Sequence, residues 1–426
     1  MKRILVWILV LALSISVLAC GKQETAPVTE EKPAWAGQFA VGFGRADVTP
    51  GRDVIMGGYT AAGEATRTST GILSRLYLTC VAITDETGRT LLLYTFDAKS
   101  PSASIFLQMQ NAVMEDTGVP IEDIVFSSTH THSSPDFDPY YTGVATKGAV
   151  AAAREALADR AAATMEYASA EIENMTFVRH YNTDTGIVIG DNFKPEGYGK
   201  RTGHTTEADK ELRVIRYNRE GKKPVLMVNW MGHNNLASTG VTEYGKEHRY
   251  EVSADYVGFC RDYVEQNYDC LFALFMGASG NLNVTSRMEG EPMQTTAEEY
   301  GHQLGQGILT TLETVTAGNT GNIAQAVTSF QGAKNAFAIY AMGAGSLGVI
   351  VAPFEMFDTT AMAVREQSPY DVTFVLTLAN GAYGYMPTDA CFDYEDCYEV
   401  RISQFSRGDA EKIVDIYLDL LDQTIG

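Results

Sequence analysis

Asp123–Ile124–Val125–Phe126–Ser127–Ser128–Thr129–His130–Thr131–His132–Ser133–Ser134–Pro135 runs from a short apolar segment into a polar loop. The apolar part has the length and composition of a buried strand. The two histidines beyond it are two residues apart. In extended backbone, side chains at i and i+2 share a face, so both imidazoles can converge on one centre. The chain has only 7 histidines, and this loop takes two of them. Neutral imidazole is the commonest metal ligand in proteins; loop hydrogen bonds satisfying the pair are the plainer alternative.

The pattern recurs further on. Pro224–Val225–Leu226–Met227–Val228–Asn229–Trp230 is again apolar strand, and Met231–Gly232–His233 follows. Sites in open α/β sheets collect at the carboxyl ends of strands, and the chain twice delivers histidine to such an end. A carboxylate follows a third strand, in Val349–Ile350–Val351–Ala352–Pro353–Phe354–Glu355. A loop with Tyr383 and Tyr385 follows a fourth, after Leu378. Taken alone these last two are weak signals, since most glutamates are solvated and loop tyrosines usually pack. His180, His204, His248 and His302 lack the strand-end setting.

Around these segments strands and helices alternate. Strands are expected at Phe39–Thr49, Leu76–Ile83, Thr90–Phe96, Glu211–Tyr217, Leu271–Met276, Leu347–Val351 and Val372–Leu378. Helical spacing marks Ser102–Asp116, Gly148–Ala163, a helix capped by Ser253, and Thr296–Val315. A last amphipathic helix places Ile413, Ile416, Tyr417, Leu420 and Leu421 on one face. With 426 residues, 45% of them hydrophobic, the simplest account is one large α/β domain over 39–426. Asp and Glu number 53 against 32 Lys and Arg, a formal charge of −21. Such a field repels a phosphate backbone, so a nucleic-acid partner is not expected.

The first 38 residues read differently. Met1–Lys2–Arg3 and the apolar run Ile4–Leu18 form an export signal over 1–19, too short for a bilayer span. Val17–Leu18–Ala19–Cys20 resembles a bacterial lipobox, which makes Cys20 the lipid-bearing mature N-terminus and 20–38 a flexible tether. The expected location is the cell envelope, on a membrane surface. Of the six cysteines, Cys391 and Cys397 are close enough for a loop-closing disulfide in an oxidising compartment. Buried free thiols are the alternative.

An ordered set of segments resembles the catalytic domain of the neutral/alkaline non-lysosomal ceramidase family. VGFGRADVTPG (41–51), MGGY (56–59), FSSTHTHSSP (126–135), FVRHY (177–181), ELRVIRY (211–217) and NWMGH (229–233) each have a family counterpart. So do SADYVG (253–258), GNLN (280–283), APFE (352–355), ANGAYGYMPT (379–388) and YE (398–399). The resemblance implies a sandwich of mixed β-sheets flanked by helices, and Zn2+ held by His130, His233, Glu355 and Tyr385, with Tyr383 the neighbouring alternative for the tyrosine. It implies proton transfer by His132, substrate binding by Arg179, and stabilisation of the reacting carbonyl oxygen by Tyr398.

That donor set suits zinc with a position left for water. The implied reaction is hydrolysis of an N-acyl amide, or an ester, by metal-activated water, with a small-molecule or lipid substrate. Two positions depart from the family pattern. Asn281 and Asn283 stand where ceramidases carry Asp and a Ser proposed as nucleophile, and an amide cannot attack as an alkoxide would. The chain is also expected to lack the family's C-terminal immunoglobulin-like domain. A non-catalytic lipid- or glycan-binding lipoprotein on the same scaffold is the rival expectation.

Overall fold

Leu91 and Leu93 point to one face of their strand, while Leu92, Tyr94 and Phe96 point to the other; both sets are buried. A strand buried on both faces needs layers on both sides. In the computed structural model the described residues are 33–59, 65–191, 197–239, 242–395 and 397–425. The export signal expected over 1–19 and the lipid-bearing role expected of Cys20 fall outside them.

A nine-stranded sheet runs in spatial order Leu271–Met276, Val225–Trp230, Glu211–Arg219, Ala161–Glu171, Ala40–Asp47, Tyr77–Thr84, Thr90–Phe96 and Ile124–Ser128. Thr316–Gly318 adds on to Ala161–Glu171. A four-stranded sheet runs Ile323–Gln331, Ala336–Ala344, Leu347–Ala352, Val372–Thr377. The inner faces meet in one core, where Val41, Val81, Leu93, Met227 and Phe275 of the long sheet pack with Met342, Val349, Phe374 and Leu376 of the short one. The outer face of the long sheet is covered by the helices Ala103–Thr117 and Pro139–Ala158 on one half. Tyr256–Asn267 and Ala297–Thr311 cover the other half. Asp358–Gln367 and Asp409–Asp422 cover the short sheet. The result is four layers, helices–sheet–sheet–helices, in line with the expected sandwich.

The sheets are mostly antiparallel, with three parallel pairs: Thr90–Phe96 with Ile124–Ser128, Val225–Trp230 with Leu271–Met276, and Leu347–Ala352 with Val372–Thr377. The four strands expected to carry site residues all belong to these pairs. Side-chain amides tie the two sheets there. Asn229 donates to Val375 O and accepts from Val375 N, at 3.0 and 3.1 Å. Asn380 accepts from Phe126 N at 2.9 Å.

The structure corrects several boundaries. The Ala-rich helix spans Pro139–Ala158, not Gly148–Ala163. Asp138 caps it by accepting from Tyr141 N at 2.7 Å, and Pro139 fits its first turn. The central strand Ala161–Glu171 was not expected; alanines have low strand propensity, but cross-strand pairing with Glu211–Arg219 over nine residues overrides it. The helix over Tyr256–Asn267 is capped by Asp255 rather than Ser253. Ser253 Oγ instead accepts from Asp255 N at 2.9 Å.

Candidate metal centre

His130 sits two residues past the end of Ile124–Ser128, with φ at +60°. That conformation is costly for a non-glycine residue. It is held because His130 Nδ1 donates to Lys99 O at 2.9 Å. His233, three residues past Val225–Trp230, is held the same way, Nδ1 donating to Ser279 O at 3.1 Å. These bonds put the proton on Nδ1 and leave each Nε2 as a bare lone pair.

Three imidazoles meet. His132 Nε2 lies 3.1 Å from His130 Nε2 and 3.2 Å from His233 Nε2. Glu355 Oε2 lies 3.3 Å from His130 Nε2 and has no hydrogen-bond partner among the described residues. All four side chains are buried. So the Nε2 atoms of His130 and His233 both face His132 Nε2, which carries at most one proton for the two, and Glu355 Oε2 faces the same His130 Nε2 from its own side. Such a cluster fits a cation: ligands about 2.0–2.1 Å from one tetrahedral ion stand about 3.3 Å apart.

Glu355 reaches the cluster because Glu355–Met356 pairs in parallel with Tyr385–Met386, Glu355 opposite Tyr385. Tyr385 is thereby placed between Glu355 and Arg179, and its hydroxyl interacts electrostatically with both. Burial alone would push the Glu355 carboxyl up, but whenever a proton rather than an ion occupies the cluster, the positive charge at His130 and then at His233, with Tyr385, holds it down at about 2. Burial first, then His130, brings His233 down to about 3. Burial, followed by His130 and His233, also pushes His132 well below the imidazole range, so it is neutral.

Spacing alone does not separate His132 from the other two histidines, but its support does. His132 Nδ1 has no hydrogen-bond partner among the described residues, and its ring is stacked under Tyr59, centroids 4.6 Å apart. Tyr383, the alternative to Tyr385, stacks on Phe337 at 4.7 Å and belongs to the core of the short sheet.

Arg179 lies beside Tyr385, its guanidinium 5.3 Å from the ring centroid. Arg179 Nη2 donates to Gly280 O at 2.6 Å, and Nε donates to Glu399 Oε1 at 2.7 Å. The half-buried Tyr398 meets Tyr385 edge-on at 5.8 Å. All seven residues expected from the sequence are thus gathered at one end of the sandwich.

Sequence reasoning missed three neighbours. Tyr59 covers His132 and accepts from Asn235 Nδ2 at 3.2 Å. Glu399 and His180 form a buried pair, Nε2 to Oε2 3.0 Å. Both adjoin assigned residues, Tyr398 and Arg179, and the facing Arg-His and Tyr-Glu dipeptides were the available signal. Cys397 Sγ also donates to Glu399 Oε2 at 3.1 Å. Cys391 and Cys397 are buried free thiols in hydrogen-bond contact, not bridged.

The departures from the family pattern also have structural places. Asn281 donates to Asp358 Oδ1 at 2.7 Å and accepts from Asp358 N at 2.9 Å, fixing the start of the Asp358–Gln367 helix. Asn283 donates to Asp191 Oδ2 at 2.9 Å, and Asp191 also accepts from Arg287.

Fold and donor set define a class: a four-layer α/β sandwich with a buried nitrogen-and-oxygen cluster for a cation at the carboxyl ends of its parallel strands. Residues 39–271, more than half of the chain, match the family described as neutral/alkaline non-lysosomal ceramidase, N-terminal. The chain belongs to that family. The fold is similar to the crystal structure of neutral ceramidase from Pseudomonas aeruginosa, with TM-score 0.71 and 15% identity over 90% of this chain and 74% of that one. It is similar also to a ceramidase complexed with C2, with TM-score 0.72 and 15% identity over 90% and 75% of the two chains. No curated protein matches the chain. Family membership implies a hydrolase, and the histidine groups are candidate sites for a metal.

Proposed function

We propose that this protein is a zinc-dependent amidohydrolase that cleaves the N-acyl bond of a ceramide-like lipid at the cell envelope. The observation that carries the reading is the cluster of His130, His132, His233 and Glu355, whose facing acceptor atoms have too few protons to satisfy one another. Nitrogen and oxygen donors of this kind suit zinc. His130, His233, Glu355 and Tyr385 would hold the ion; when bound, it supplies polarisation of the acyl carbonyl and acidification of water.

The remaining chemistry belongs to the chain. Neutral His132, with no carbonyl fixing its Nδ1, accepts a proton at Nε2 and returns it to the departing amine. Arg179 and Tyr398 stand beside Tyr385, where they oppose negative charge on the tetrahedral oxyanion. Tyr59 shields one face of the His132 ring from water.

Zinc-loaded and metal-free protein, assayed across ceramides and simpler N-acyl amino acids, tests this. Turnover by protein with one zinc per chain, lost in His130→Ala, is expected; full activity of metal-free protein overturns it. Asn283, engaged by Asp191 where the family carries its serine, favours a second reading, a lipid- or glycan-binding lipoprotein. Saturable binding of ceramide or glycan without any turnover would establish that one. The proposed location rests on the lipobox-like Cys20. Palmitate incorporation in cells, lost in Cys20→Ala, is its check, and equal labelling of the variant rejects it.

A further inference from the structure

Arg179 is buried with its charge. A guanidinium taken out of water must be paired and hydrogen-bonded. Here the pair is Glu399, which lies in the short helix Tyr398–Ile402 and is itself buried. Its two oxygens are used separately. Oε1 takes Arg179 Nε at 2.7 Å. Oε2 takes His180 Nε2 at 3.0 Å and the Cys397 thiol at 3.1 Å. The far side of Arg179 is fixed as well, by Gly280 O, while its backbone N–H donates to Asn281 O at 2.9 Å. The guanidinium lies 5.3 Å from the centroid of the Tyr385 ring, and Tyr385 is paired with Glu355.

We infer that Glu399 is a positioning residue: through Oε1 it fixes the Arg179 guanidinium against Tyr385, and His180 and Cys397 fix Glu399 through Oε2. This rests on the hydrolase reading above and adds to it a buried charge relay outside the donor cluster. Arg179 and His180 thus share this one carboxylate, one on each oxygen, which fixes its orientation. An arginine held at Nε and one Nη keeps its remaining N–H groups for substrate in a fixed direction, and prepaid orientation of this kind is what a preorganised oxyanion site requires.

His180 Nε2, Cys397 Sγ and Glu399 Oε2 also lie within 4.8 Å of one another, as ligands of an ion would. The hydrogen bonds among them already satisfy all three atoms. This is unlike the histidine cluster, where the carboxylate oxygen is orphaned, so the relay works without a metal.

Glu399→Gln keeps shape and removes the charge. Its kcat is expected to fall about 10- to 100-fold, the usual cost of losing a partner one step behind a site, with KM changed by less than about threefold and zinc content unchanged. Arg179→Ala should fall at least as far, and added guanidinium should restore part of the loss. The restoration should vanish in Arg179→Ala/Glu399→Gln, because Glu399 forms the guanidinium's seat. Wild-type kcat in Glu399→Gln, equal rescue with and without Glu399, or a second zinc equivalent lost in Cys397→Ser would each overturn the inference.

If Glu399→Gln does not fold, the wild type decides. Its Arg179 Nε–H, assigned by its absence in Arg179→Lys, should exchange slowly with solvent, and exchange as fast as that of an exposed arginine rejects the seat. This last readout needs no turnover, so a failed hydrolase reading and a failed positioning role give different results.

Discussion

Glu355 and Tyr385 stand opposite each other in a two-residue parallel pairing, and the phenol helps hold the carboxyl in its charged form. The chain between them holds the Asp358–Gln367 helix and the Val372–Thr377 strand. A crossover of this kind returns the chain to the same sheet end. The carboxylate and the phenol therefore arrive at the histidines as one unit.

Removing either member should show in metal affinity. Glu355→Ala should lose the ion outright. Tyr385→Phe, which also leaves Arg179 without its phenol partner, should weaken zinc by roughly 10- to 100-fold in chelator competition, taking the cost of lost supporting groups as a lower guide. Tyr383→Phe should change nothing, because Tyr383 packs on Phe337. Unchanged affinity in Tyr385→Phe would remove the tyrosine from the donor set.

His132 and His130 should separate two functions that share one loop. His130 has its Nδ1 tied to Lys99 O, and His132 has no such tie. His130→Ala is expected to abolish zinc binding. His132→Ala is expected to retain zinc and lose about 10²–10⁴-fold in kcat, the range for a general acid–base group. Metal analysis beside steady-state kinetics reads both. Loss of zinc in His132→Ala would make His132 a third nitrogen ligand instead.

The strand-end histidines were legible because a periodic apolar run announces where a buried strand stops, and polar residues just past that point have few structural reasons to be histidine. Glu355 and Tyr385 were legible only through the family resemblance, since their partner in space is each other and no local pattern records a parallel pairing. His180 and Glu399 were legible only as the chain neighbours of Arg179 and Tyr398, and their pairing with each other was not legible. A buried ion pair looks, in sequence, like two ordinary surface residues. Strand Ala161–Glu171 escaped for a similar reason: its place in the sheet is set by pairing with Glu211–Arg219 rather than by its own alanine-rich composition.

Strand Ala40–Asp47 carries a sharper packing constraint than its composition suggests. Its inward positions Val41 and Phe43 fill the core between the sheets, and the alternating Gly42 and Gly44 lie under the Pro139–Ala158 helix. A Cβ on Gly44 would stand 2.1 Å from Ala152 O, and one on Gly42 1.9 Å from Ala156 O. Both obstacles are helix backbone, which cannot step aside as a side chain can. Gly44→Ala should therefore cost at least about 1–3 kcal/mol in urea unfolding, the range for overpacking. A loss below about 0.5 kcal/mol, typical of a surface change, would mean the helix can lift from the sheet.

The His180–Glu399 pair also sets a pH window for stability. Burial lowers the His180 imidazole, but Glu399 beside it more than reverses this and brings it up to about 9 from its ordinary 6.5. For Glu399, burial acts upward; Arg179 and His180 overcome it and hold the carboxyl well below its ordinary 4.5. A raised imidazole stabilises the fold fully below about 6.5, and that contribution drains away as pH rises through about 9. A depressed carboxyl does the reverse, contributing above about 4.5 and failing only as acid reaches its folded value. Denaturant melts should thus lose on the order of a few kcal/mol between pH 7 and 10 in the wild type. His180→Gln, which has no proton to lose there, should start lower and show a flatter profile over the same interval. Parallel profiles for the two proteins would mean that His180 is neutral in the folded state, and that Glu399 spends its charge on Arg179 alone.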